Sequence, residues 1–329
     1  MLLKPGRMHA RMRHRWNPIR ATNGSGTASG YVTRGGDDLK ILVTGATGML
    51  GKDLCALAAE RGHQVFGTDV ERLALDPRDR LDVTDAAAVR RAIGEMAPDI
   101  VLHLAAVTDV DGCEANPENC FCVNVLGTKN LALAAMESDI PLLYVSTGSV
   151  FDGTKSTPYH EFETPNPISV YSQSKYAGEV LVRTHVPHHI IVRAGWMFVG
   201  GREDKKFVAK MVQLASERDE IQAVDDKFGS PCYTVDFATR CLDLAEGRAW
   251  GTFHAPNEGW CSRFEMAQAI VEFAGLENCR VRPCNSATFP LAAPRPRLEA
   301  LENLHCRLMG MSAQPHWRQS LESYVRSIL

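Results

Sequence analysis

A tyrosine and a lysine four residues apart, Tyr171 and Lys175 in Tyr171-Ser172-Gln173-Ser174-Lys175, stand about 120 residues after a glycine turn, Gly45-Ala46-Thr47-Gly48-Met49-Leu50-Gly51. On a helix, positions i and i+4 share a face, so the phenol and the ammonium are expected to stack. A neighbouring ammonium favours phenolate and lowers the phenol's pKa, which suits proton exchange with a substrate oxygen near neutral pH. Lysine can also hold a nicotinamide ribose. Thr147, at the end of the preceding apolar run, offers a hydroxyl to a carbonyl oxygen and its developing alkoxide, with Ser146 as the alternative donor. Either motif alone is weak, because both patterns arise by chance. Their order and separation point to a nicotinamide-dependent carbonyl reductase.

The glycines have separate tasks. Gly45 permits a tight turn, Gly48 lets the backbone approach a pyrophosphate, and Gly51 lets the helix pack closely on the sheet. The amides that follow the turn, with the positive end of the helix dipole, suit phosphate. Asp69, 18 residues beyond Gly51, completes the dinucleotide-binding fingerprint by accepting from ribose hydroxyls, which favours NAD. Arg72 is close enough in sequence to receive a 2′-phosphate, so NADH and NADPH both stand. Leu81-Asp82-Val83-Thr84-Asp85 has two compatible readings: Thr84 or Asp85 capping the next helix, and Asp82 and Val83 lying against adenine.

The elements that must position these groups alternate. Leu39 to Thr44 reads as a buried strand, Leu50 to Arg61 as a helix, and Gln64 to Thr68 as a second strand. Asp85 to Met96 and Glu118 to Glu137 read as helices, Ile100 to Leu104 and Leu142 to Ser146 as strands. A helix from Tyr171 to about Arg183 and a strand over Ile190 to Arg193 follow. This pattern predicts an α/β, Rossmann-type, doubly wound parallel sheet with right-handed crossovers and a ligand at the strands' carboxyl ends. Beyond Gly201 the alternation fades into helical stretches at Lys205 to Arg218, Ser262 to Phe273 and from His316, with a proline-rich loop over Pro290 to Pro296. The expected division is a basic extension over 1–38 and a dinucleotide-binding domain over 39–200, which a segment near 232–258 rejoins through Gly251-Thr252-Phe253-His254. Residues 201–231 and 259–329 then form a smaller interleaved α/β substrate lobe.

Composition sets the outer bounds. With 329 residues, 45% hydrophobic and 23% charged, the chain has ample material for a buried core. The net charge of −3 conceals seven basic residues and no acid over Met1 to Gly36, which leaves −10 for the rest and argues against a nucleic-acid-binding body. That leading segment lacks spaced apolar residues and is expected to be disordered. No secretory apolar region or bilayer-length run is present, so a cytoplasmic location without membrane partners is expected. The ten cysteines are scattered and the histidines show no zinc-ligand spacing, so reduced thiols and no metal are expected.

From Leu39 onward the chain resembles the extended short-chain dehydrogenase/reductase family, and within it the dTDP-4-dehydrorhamnose reductases. The resemblance is carried by the glycine turn, Leu81-Asp82-Val83-Thr84-Asp85, Ala105-Ala106-Val107-Thr108-Asp109-Val110-Asp111 and Ser146-Thr147-Gly148-Ser149-Val150-Phe151-Asp152-Gly153, and by Tyr171 to Lys175, Arg193-Ala194-Gly195-Trp196 and Phe228-Gly229-Ser230-Pro231. It implies a nicotinamide bound over the sheet, with Tyr171 as proton donor, Thr147 as oxyanion support and Lys175 aligning both. Cofactor contacts are implied at Gly45, Thr47, Gly48, Met49, Leu50, Gly51, Asp69, Asp82, Val83, Ala105, Ala106, Val107, Thr108, Tyr171 and Lys175. Substrate contacts are implied at Val110, Thr147, Gly148, Tyr171 and Trp196, although Trp196 also reads as a core aromatic. Arg295-Pro296 matches either a late loop near substrate or a plain connection. One departure concerns the sugar: the reductases usually carry Asp-Tyr-Val-Phe after the threonine, and here Gly148-Ser149-Val150-Phe151 stands in its place.

The expected reaction is therefore NAD(P)H-dependent reduction of the C4 ketone of a nucleotide-linked, dTDP-type deoxysugar. A dehydratase needs a further acid/base pair that Gly148 and Ser149 do not supply, whereas an epimerase needs only the tyrosine and lysine. A non-catalytic reading also stands, because Gly251 to His254, Phe264-Glu265-Met266-Ala267 and Arg295-Pro296-Arg297 resemble segments of the methionine adenosyltransferase regulatory subunit. A homodimer is expected by fold analogy alone.

Overall fold

The computed structural model describes residues 38–70, 79–199 and 207–329. The basic segment before residue 38, Arg72 and the start of the helix expected from Lys205 lie outside them. The first half alternates as expected: β1 (Lys40–Thr44), α1 (Met49–Glu60), β2 (Gln64–Thr68), α2 (Ala86–Met96), β3 (Ile100–His103) and α3 (Val110–Ala115). Next come α4 (Pro117–Phe121), α5 (Thr128–Ser138), β4 (Leu142–Thr147), α6 (Val170–His185) and β5 (His189–Ala194).

The second half contains β6 (Trp196–Phe198), α7 (Phe207–Glu217), β7 (Glu220–Val224), β8 (Phe228–Gly229), β9 (Pro231–Tyr233), α8 (Thr234–Glu246) and β10 (Gly251–His254). It ends with β11 (Cys261–Ser262), α9 (Arg263–Phe273), β12 (Arg280–Cys284), β13 (Leu298–Glu299), α10 (Leu304–Leu308) and α11 (Trp317–Ile328). No helix among the described residues is long and apolar enough to cross a membrane.

Six strands form one parallel sheet in the order β10-β5-β4-β3-β1-β2. All four residues of β3 are buried, as a strand covered on both faces requires. The order reverses between β1 and β3, so their carboxyl ends diverge and leave the crevice in which α/β sheets bind ligands. One sheet face packs on Leu54, Phe237 and Leu242, and the other on Val89, Ile93, Leu131 and Val182. As expected, Gly251 to His254 returns to the sheet, pairing with β5. A separate core of Val208, Ile221, Ile270, Leu321 and Val325 joins α7, α9 and α11.

The helix expected over 118–137 is not uniform. Residues Cys122–Gly127 between α4 and α5 form a π-turn. Inside it, Asn124 donates to the Val107 carbonyl at 3.1 Å and to Ser174 Oγ at 2.9 Å, and accepts from the Val107 amide at 2.8 Å. A π-turn is the usual helical distortion at a functional site, and residue spacing does not disclose it. At α2 the alternatives separate: Asp85 caps the helix by accepting from Ala87 and Ala88, while Asp82 accepts from Thr84.

A buried ion pair joins β4, β5 and α6. Glu179, fully buried, accepts from Arg193 Nε and Nη2, both at 2.8 Å, and from Ser146 Oγ at 2.6 Å. Burial opposes ionisation, yet the Arg193 and Ser146 contacts hold the carboxyl below its usual range. Removing one member of such a pair strands the other charge. Arg193→Met should therefore destabilise the chain by roughly 3–5 kcal/mol, and adding Glu179→Leu should recover most of that loss, measured by denaturant unfolding.

Candidate active site

Thr147 closes β4 at its carboxyl end, where the chain turns through Gly148–Val150. Its Oγ1 lies 3.1 Å from Ser149 Oγ. Ser149 meets Ser172 at 3.0 Å, and Ser172 meets Ser169, the N-cap of α6, at 2.7 Å. This hydroxyl chain fixes the end of β4 against the first turn of α6, which carries Tyr171. Ser146 is not a competing oxyanion donor, because its hydroxyl is committed to Glu179.

Tyr171 and Lys175 share α6 and line the same cleft, but the electrostatics differ from the expectation. Burial raises the Tyr171 phenol well above its ordinary value, and a hydrogen bond with Thr147 only partly offsets this. Lys175 is 4% exposed, and its Nζ lies 4.2 Å from the centroid of the Tyr144 ring, whose hydroxyl donates to the Lys175 carbonyl. Burial lowers its pKa to about 7, against an opposing pull from Glu179. Desolvation thus outweighs charge pairing, and the phenol keeps its proton. Near neutral pH the site holds an acid, not a phenolate.

Every residue implied above as a cofactor or substrate contact lines one cleft of about 1480 Å³. Single-ligand pockets span roughly 300–1,000 Å³, so the cleft has room for two ligands. At one end the glycine turn meets α1. A Cβ on Gly51 would stand 2.2 Å from the Gly45 carbonyl oxygen, so the turn closes only around a hydrogen. The N-cap of α1, Gly48, makes no side-chain cap, which leaves the first helical amides to a ligand. Asp69 accepts from both the amide and the hydroxyl of Thr47, at 3.1 and 2.5 Å. It therefore fixes the turn as well as facing the position expected of a ribose.

The other end is charged and aromatic. Trp196 lines the cleft, and its indole is closely packed: the Arg263 guanidinium lies 3.6 Å from the ring centroid, and a Cβ on Gly229 would stand 2.3 Å from Trp196 Cε2. The indole N–H donates to Glu299 Oε2 at 2.6 Å. The loop at Arg295-Pro296 lies over the cleft and is tied to α3 by the Arg295–Asp111 ion pair at 2.9 Å, so it is not a plain connection.

A family model described as the RmlD substrate binding domain matches residues 39–329. The chain belongs to that family. It is 40% identical over 287 residues to a dTDP-4-dehydrorhamnose reductase of Mycobacterium tuberculosis, covering 86% of this chain and 91% of the relative. A dTDP-4-keto-6-deoxy-D-glucose reductase of Streptomyces niveus is 34% identical over 281 residues, covering 85% and 94%. Among solved structures, the dTDP-4-dehydrorhamnose reductase of Bacillus anthracis in complex with NADP superposes with a TM-score of 0.80 at 33% identity, covering 88% of this chain and 99% of that one.

Within this member of the family, sequence reasoning missed Asn124, Lys227, Arg263 and Glu299. Asn124 grips both polar atoms of Val107, and Val107 lines the cleft. Its signal was faint: an asparagine inside an otherwise apolar helical stretch. Lys227 stood directly before the quoted Phe228-Gly229-Ser230-Pro231 segment.

The buried Lys175 yields a stability prediction. Below about pH 7 the folded chain carries this ammonium at full desolvation cost. Between about 7 and the unfolded value of 10.5 it has released a proton that the unfolded chain keeps, so the cost is relieved as pH rises. Lys175→Met should therefore raise the cofactor-free melting temperature most below about pH 7, with the gain shrinking across that window in a pH series of thermal unfolding.

Proposed function

We propose that the chain reduces the C4 ketone of a nucleotide-linked 4-keto-6-deoxysugar with NAD(P)H, as a dTDP-4-dehydrorhamnose reductase. The observation that carries this reading is that Thr147, Tyr171 and Lys175 line the same cleft as the glycine turn and Asp69, which sets an acid beside a dinucleotide cradle as a reductase needs. The glycine cradle, the uncapped start of α1, Asp69 and the Ala105 to Thr108 wall fit a dinucleotide. When bound, its nicotinamide supplies the hydride.

The chain's own residues do the rest. Tyr171 Oη and Thr147 Oγ1 together bind the ketone oxygen. As charge grows on that oxygen, Tyr171 gives up its proton and Thr147 donates a second hydrogen bond. Lys175, with a pKa near 7, favours the resulting phenolate and holds the ribose. In this reading 39–200 with 232–258 carries the cofactor, and 201–231 with 259–329 carries the sugar; the separate core of α7, α9 and α11 supports that division. The protein works in the cytoplasm as a homodimer, without nucleic-acid or membrane partners.

A dehydratase is disfavoured because Gly148 and Ser149 offer no acid/base pair. Against the epimerase and regulatory-subunit readings stand the names of the relatives, which are reductases at 34–40% identity. Loss of nicotinamide absorbance with dTDP-4-dehydrorhamnose and NADPH or NADH tests the proposal. Tyr171→Phe should lower kcat by roughly 100- to 10,000-fold and Thr147→Ala by roughly 100- to 1,000-fold, with cofactor affinity retained. Tight cofactor binding with no turnover on this or a related ketosugar would sink the reductase reading in favour of the regulatory one.

A further inference from the structure

The cleft wall beside Thr147 has an unusual construction. Gly148 contributes no side chain, and none would fit without movement: a Cβ there would stand 3.1 Å from Leu301 Cδ1 and 3.2 Å from the Glu299 carbonyl oxygen. The wall is therefore closed by β13 and the residues after it, and β13 brings Glu299 into the cleft.

Among the described residues only one oxygen of that carboxylate is engaged. Oε2 accepts the Trp196 indole N–H at 2.6 Å, and no hydrogen bond among the described residues uses Oε1. Arg263, Arg295 and Lys227 line the same end of the cleft, yet Glu299 forms no ion pair with a described residue. Burial raises its pKa, while the Trp196 hydrogen bond and the three cations draw it back. Trp196 itself is closely packed by Arg263 and Gly229. A half-satisfied carboxylate in a cleft needs a donor, and a sugar hydroxyl is the donor at hand.

We infer that Glu299 is a specificity-determining residue: its carboxylate accepts a hydrogen bond from a ring hydroxyl of the bound sugar, at the wall where Gly148 contributes no side chain. Trp196 then acts as a positioning residue that aims the carboxylate. The inference rests on the reductase reading, which fixes the sugar end of the cleft.

Calorimetric titration of the whole chain with dTDP-rhamnose and with dTDP alone, in the presence of NADPH, separates the sugar from the nucleotide. Glu299→Ala should weaken dTDP-rhamnose about 10- to 100-fold and leave dTDP within about twofold. Glu299→Gln, which can still accept from Trp196, should raise KM with a smaller effect on kcat. Trp196→Phe, which leaves the carboxylate in place, should lose less sugar affinity than Glu299→Ala. Equal losses for both ligands, no loss, or a Trp196→Phe variant as weak as Glu299→Ala would overturn the assignment. A wild-type chain that turns over the ketosugar while the Glu299 variants match it refutes this inference alone; a wild-type chain that binds neither ligand refutes the reductase reading along with it.

Discussion

A carboxylate with no access to solvent, Glu179, takes hydrogen bonds from Ser146 on β4, Arg193 on β5 and Arg183 on its own helix. The catalytic edge depends on this junction. Ser146 is the residue before Thr147, and Lys175 lies one helical turn before Glu179, so a single anion locates both sides of the reacting centre. It also tempers the buried ammonium of Lys175, whose pKa would otherwise fall further. Buried ion pairs are seldom efficient stabilisers compared with apolar packing. Here the pair's return is geometric: strand end and helix cannot slide past one another without exposing a charge to the protein interior.

Around that junction, burial determines the chemistry. A phenol near an ammonium invites the conclusion that phenolate forms readily. In the folded chain the dry surroundings shift Tyr171 and Lys175 in opposite directions, each towards its neutral form. The Tyr171 shift leaves its proton in place, as the proposed proton delivery requires. The cleft is asymmetric: glycines form the turn at one end, while Trp196, Lys227, Arg263, Arg295 and Glu299 gather at the other.

Much of this was legible in the residues. Strands with uncharged apolar runs and helices bounded by Gly62, Asp85 and Ser262 lie within a residue or two of their expected limits, because local patterns govern them. Tyr171, Lys175, Thr147 and the glycine turn were recoverable because their relation is short-range or follows from a known sheet order. The π-turn at Asn124 was hidden, since it arises from contacts to Val107 and Ser174 on other elements. Glu299 was hidden for the same reason: its partner Trp196 is 103 positions away. The direction of the Tyr171 shift was misread because spacing reports who is near, not how much water remains.

The last strand of the parallel sheet, β10, is separated from its neighbour β5 by β6, α7 and the strands and helix that follow them. The sheet beneath the cleft is therefore not encoded by one uninterrupted stretch of gene. A ribosome must have released the chain past His254 before the sheet can be completed. For the same reason, an exchange of segments between relatives that cuts between β5 and β10 would build one sheet from two parents.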